Sequence, residues 1–68
     1  MSLSITVNGE PRTVPDSATL ADLVNALGEA PQALATAVNG DFVPRNARDG
    51  VRLREGDEVF TFQPITGG

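Results

Sequence analysis

Two consecutive glycines, Gly67 and Gly68, follow the run Phe60-Thr61-Phe62-Gln63-Pro64-Ile65-Thr66, and here the sequence could carry chemistry. Lacking Cβ atoms, they can thread a narrow channel and leave the terminal carbonyl open to attack. A free terminal carboxylate is ionised near neutral pH and inert until something activates it. Chain ends are ordinarily frayed, so a Gly-Gly ending alone is a weak signal. The rest of the inventory strengthens it, because the sequence contains no Cys, His, Lys, Trp or Tyr. Thiol and amine nucleophiles, imidazole acid/base catalysis and Cys or His zinc sites are thereby removed. The 9 Asp and Glu residues show no spacing that identifies an acid/base pair. We therefore expect a chain that is not itself an enzyme and that binds no metal or cofactor.

The 68 residues, 40% of them hydrophobic, suit one small folded domain. A chain of this size buries only about 60% of the surface its unfolded form exposes. Without disulfides it must fold by packing alone. The formal net charge of −4 repels nucleic acid and anionic membranes at long range, so neither is an expected partner. No apolar run approaches the ~20 residues of a membrane span, and no basic-then-apolar leader opens the sequence. A cytoplasmic protein, monomeric when free, is the expectation.

Several elements must hold the glycines in place. Leu3-Ser4-Ile5-Thr6-Val7 alternates apolar and polar side chains, which predicts a half-buried strand with Leu3, Ile5 and Val7 inward. Asn8-Gly9 suits a tight hairpin whose central residues both need positive φ, so Glu10–Val14 should return antiparallel. Pro11, lacking an N–H, fits an edge or an outward position. Leu20, Leu23, Val24 and Leu27 then mark the apolar stripe of a helix. Thr19 is its expected N-cap, Asp22 completes a capping box, and Gly28 ends it. After a connector around Pro31, Leu34–Val38 reads as a third strand. Asn39-Gly40 turns it into Asp41–Pro44. Arg45–Arg54 reads as irregular with a short strand at Val51–Leu53, Glu55-Gly56-Asp57 as a turn, and Glu58–Pro64 as the last strand. This order predicts an α+β domain, one helix packed across a mixed sheet.

Two features admit more than one reading. On the last strand, Val59 and Thr61 face one way and Phe60 and Phe62 the other. Hydrophobicity alone favours the phenylalanines as core. Arg45, Arg48, Arg52 and Arg54 also crowd into one segment. Charged residues around turns are ordinarily solvated surface, while the functional reading is an electrostatic dock that sets on-rate and specificity.

The hairpin with Asn8-Gly9, the helix opening Thr19-Leu20-Ala21-Asp22-Leu23, the stretch Val38-Asn39-Gly40-Asp41-Phe42-Val43-Pro44-Arg45, the segment Glu55-Gly56-Asp57-Glu58-Val59 and the final Gly67-Gly68 together resemble the ThiS family, the sulfur carriers of thiamine thiazole biosynthesis. The likeness runs through essentially the whole chain. It implies a β-grasp, ubiquitin-like domain over residues 1–64 and a flexible tail over 65–68. It also turns Val59 and Thr61 inward and Phe60 and Phe62 outward, against the hydrophobicity reading. By resemblance, a ThiF-type adenylyltransferase uses MgATP to adenylate the Gly68 carboxylate. A cysteine persulfide donor then supplies sulfur, and the resulting thiocarboxylate serves thiazole synthase. Gly67, Thr66 and Ile65 would deliver that group, with Phe60, Phe62 and Arg45 contacting partners; Arg45 matches the Val-Pro-Arg segment of the family.

Other functions remain open at this level. The small subunit of molybdopterin synthase is also a thiocarboxylate carrier ending in Gly-Gly, although it usually has a longer chain. A non-carrier ubiquitin-like interaction module would need no reactive terminus. A modifier that polymerises on itself would need acceptor lysines, which this sequence lacks.

Overall fold

The computed structural model describes residues 1–28 and 34–62. Strands β1 (Ser2–Val7) and β2 (Glu10–Pro15) pair antiparallel, from Ser2 opposite Pro15 to Val7 opposite Glu10. Asn8 and Gly9 join them with φ of 54° and 86°. A primed turn needs such values, and its twist matches that of the strands it connects. The alternation in β1 holds, with Ile5 and Val7 buried and Leu3 half-buried.

Helix α1 (Leu20–Ala26) opens with the expected capping box. The Asp22 N–H donates to Thr19 Oγ1 at 3.2 Å, and the Thr19 N–H donates to Asp22 Oδ2 at 3.0 Å. Together they satisfy two N–H groups near the helix start, one of which the helix itself leaves without a partner. Leu20, Leu23 and Val24 form its buried stripe, Leu27 is the C-cap, and Gly28 follows at φ 77°. The connector around Pro31 lies outside the described residues.

Strands β3 (Ala35–Val38) and β4 (Asp41–Val43) form a second hairpin through Asn39 and Gly40, with φ of 53° and 87°. Strand β5 (Glu58–Phe62) inserts between β1 and β3, giving the order β2-β1-β5-β3-β4. Among the described residues, only the β1–β5 pairing is parallel. Ile5, Val7, Val43 and Val59 share one core with Leu20, Leu23 and Val24 of α1. A mixed five-stranded sheet curled over one helix is the β-grasp arrangement. The expected last strand is described through Phe62, and its end at Gln63–Pro64, like the 65–68 tail, lies outside the described residues.

The segment after β4 departs from expectation. Arg45–Gly50 form a 3-10 helix, and Val51–Leu53 do not make a strand. Arg52 makes one isolated antiparallel bridge, to Thr19. The flanking bonds run from Leu20 N–H to the Val51 carbonyl at 2.8 Å and from Leu53 N–H to the Ala18 carbonyl at 3.0 Å. Leu53 is buried in the core, so the segment is pinned against the approach to α1 instead of joining the sheet.

Candidate functional site

The parity of β5 decides what its outer face offers. Val59 stands opposite Val7 on β1 and Val38 on β3 and is 0% exposed. Alternation then sends Phe60 and Phe62 outward, where they are 39% and 50% exposed. The hydrophobicity reading is thus overturned, since the inner face already holds Val59 against the helix. The direction implied by the family resemblance is the observed one.

A third phenylalanine extends this surface. Ala37 on β3 pairs with Phe60 on one side and Phe42 on the other, so all three side chains share the outer face. Ala35 pairs with Phe62 one step along. Phe42 is 66% exposed, whereas Ala37, outside the inner core cluster, is nearly covered between its two aromatic neighbours. A cluster of exposed aromatic side chains on one sheet face is a candidate binding surface. Phe42 was missed in the sequence, yet a signal existed. A two-residue Asn39-Gly40 turn fixes Val38 opposite Asp41 and therefore Ala37 opposite Phe42.

The arginine segment divides. Arg45, at the start of the 3-10 helix, is exposed, as are Arg52 and Arg54. Arg48 is 2% exposed, which corrects both the docking and the solvated-surface readings for that residue. Its Nε donates to Thr36 Oγ1 at 3.1 Å, and its Nη2 donates to the Leu34 carbonyl. Thr36 in turn donates its hydroxyl to the Val43 carbonyl at 2.9 Å. The guanidinium therefore ties the 3-10 helix to β3 and, through Thr36, to β4. A buried arginine is stable only when its N–H groups find such acceptors.

Two asparagines grip β5 from opposite sides. The Asn39 backbone N–H donates to the Glu58 carbonyl at 2.8 Å, its Oδ1 accepts from the Glu58 N–H at 2.9 Å, and its Nδ2 donates to Asp57 Oδ1 at 3.0 Å. On the other side, the Asn8 backbone N–H donates to the Val59 carbonyl at 2.8 Å. Asn8 Oδ1 accepts from the Thr61 N–H at 2.9 Å, and its Nδ2 donates to Thr61 Oγ1 at 3.0 Å. Beside this second grip lies an open groove of about 300 Å³ between Glu10, Arg12, Leu27 and Thr61.

Of the residues singled out in the sequence, the fold brings Phe60 and Phe62 onto one face and sets Arg45 on a separate element. Ile65, Thr66, Gly67 and Gly68 lie outside the described residues. No helix among the described residues is long and apolar enough to cross a membrane.

Comparison with known proteins bears on the same reading. The ThiS family model matches residues 5–68. The crystal structure of a thiamine biosynthesis protein (ThiS) from Geobacter metallireducens superposes with a TM-score of 0.83 at 32% identity, covering 97% of this chain and 100% of that one. The solution structure of a thiamine biosynthesis protein from Geobacter metallireducens gives 0.74 at 30% identity, covering 97% and 88%. No curated protein sequence gives a significant match.

Proposed function

This chain belongs to the ThiS family, and from that premise we propose that it is a sulfur carrier of thiamine biosynthesis whose reactive group is the Gly68 carboxylate. The observation that carries this reading is the family match running through residue 68, with a thiamine biosynthesis protein alignable over its entire length. The molybdopterin alternative draws no support from these comparisons.

A carboxylate is a poor acylating group because oxide is a poor leaving group. In the proposed cycle an adenylyltransferase of the ThiF type joins the Gly68 carboxylate oxygen to the α-phosphate of MgATP and releases pyrophosphate. The terminal sulfur of a cysteine persulfide then attacks the acyl carbon, AMP departs, and an acyl disulfide forms. A thiol reductant supplies two electrons to cleave the S–S bond and leaves the Gly68 thiocarboxylate. Thiazole synthase receives that sulfur. The acid/base groups and the nucleotide site belong to the partners, and this chain supplies the acyl group and a surface to hold. Phe60, Phe62 and Phe42 form the docking face in this scheme, Arg45 assists partner contact, and Ile65 to Gly67 carry the reactive end into the partner's channel.

The test is intact-mass analysis after incubation with MgATP, the adenylating enzyme and a persulfide source. One oxygen-to-sulfur exchange localised by fragmentation to Gly68 is the expected result. An unchanged mass, in a mixture that converts a known carrier, overturns the reading.

A further inference from the structure

Strand β5 has unequal neighbours. On its β3 side the pairing continues through Ala35 opposite Phe62. On its β1 side it stops at Val7 opposite Val59, because β1 turns away at Asn8-Gly9. Past that point the backbone N–H of Thr61 points toward β1 and finds no strand there. A bare N–H at this place would leave the end of β5 held from one side only.

The Asn8 carboxamide fills the missing rung. Its oxygen sits 2.9 Å from the Thr61 nitrogen, where the next carbonyl of a parallel partner would be, and its amide nitrogen reaches the Thr61 hydroxyl at 3.0 Å. The orientation of the amide follows from chemistry, since a backbone N–H can only donate and must meet the oxygen. Thr61 is therefore the last residue of β5 whose β1 side is fixed, and Phe62 is paired through β3 alone.

We propose that Asn8 is a positioning residue for the end of β5: its side chain replaces a β1 rung and fixes Thr61, the base from which the reactive terminus is offered to an activating enzyme. The functional half of this inference rests on the carrier reading. Asn39 provides an internal comparison, with the same residue type, turn and φ, but its grip falls on Asp57 and Glu58 at the opposite end of β5.

Three variants test it. Asn8→Gly keeps the positive φ accessible and removes the carboxamide. Asn39→Gly makes the same change at the other turn. Asn8→Asp keeps an oxygen for the Thr61 N–H and so serves as the conservative rescue. Hydrogen exchange on the chain alone should show the Thr61 amide accelerated about tenfold in Asn8→Gly, the effect of losing one hydrogen bond, with near-normal protection in Asn8→Asp and Asn39→Gly. In single-turnover adenylation, Asn8→Gly should slow acyl-adenylate formation about tenfold or more, as a small misplacement of a reacting group does. Its affinity for the enzyme should stay unchanged, and Asn8→Asp should recover most of the rate. Equal slowing in Asn8→Gly and Asn39→Gly, or a wild-type rate in Asn8→Gly, overturns the proposal. Failure of the carrier reading has a different signature, in which the unaltered chain is itself inert to enzyme and MgATP while the Thr61 exchange contrast still decides the clamp.

Discussion

Arg48 shows how much one side chain contributes when a small domain has no cysteine with which to form a disulfide. Its guanidinium donates to the Thr36 hydroxyl and the Leu34 carbonyl from a site almost closed to water. Arg48→Met retains most of the aliphatic stem and strips the donors, leaving polar atoms of β3 unmatched. We expect a loss of roughly 3 kcal/mol in urea denaturation, within the range for abandoned buried acceptors of a charged group. A domain of this size has a total stability on the order of 5 kcal/mol, so the variant should retain about 2 kcal/mol and populate the unfolded state at a few per cent. The same change at exposed Arg52 should fall within about 0.5 kcal/mol of wild type. The role of Arg48 was illegible in the sequence for a physical reason. Two of its acceptors are a hydroxyl and a backbone carbonyl 12 and 14 residues away, and neither leaves a local pattern around Arg48 itself. Thr36, whose hydroxyl is needed on the inner face, reads in the sequence as an ordinary strand threonine.

At the level of elements, what was legible is what short-range chemistry specifies. Both Asn-Gly pairs announced their hairpins because few residues tolerate positive φ at consecutive positions. Helix α1 announced itself by its stripe and by Thr19 with Asp22. Removing the cap hydroxyl in Thr19→Ala should cost about 1 kcal/mol, read as a shifted denaturation midpoint with unchanged slope. The 3-10 helix and the bridge at Arg52 were not legible, since Val51-Arg52-Leu53 has the alternation of a strand. Its partners, Ala18 and Leu20, are brought to it only by the packing of α1. Strand β5 could be located but not oriented from its own residues, because Val59 and Phe60 are both apolar and period-2 alternation fits either face; only the family resemblance pointed the observed way. Orientation came from its neighbours, with Val7 and Val38 both facing inward beside Val59.

For the molecule as a whole, the sheet divides the labour: one face is spent on the helix and the other carries Phe42, Phe60 and Phe62. Phe42 stands mostly in water, so Phe42→Ser should leave the melting temperature within a few degrees of wild type. Phe60 is more than half covered beside Ala37, and Phe60→Ser should cost about 1 kcal/mol. If these rings seat in a partner, the double variant should weaken binding to the adenylating enzyme by about tenfold or more, measured by calorimetry. Unchanged affinity would move the docking surface elsewhere. The proposed reactive end was the most legible functional candidate, and its role rests on family membership and chemistry. A carrier that presents three aromatic rings on a sheet also risks recruiting another sheet. Pro11 and Pro15 of β2 stand opposite Thr6 and Ser2, and the closing Val7–Glu10 pair of a two-residue hairpin is hydrogen-bonded, so both prolines occupy positions whose nitrogens face away from β1. That outward row keeps the Thr13 N–H as a donor but has none at either proline, and at the other margin β4 is only 3 residues long. The fold thus exposes apolar area on a face while denying incoming strands a backbone to extend, which separates recognition from aggregation.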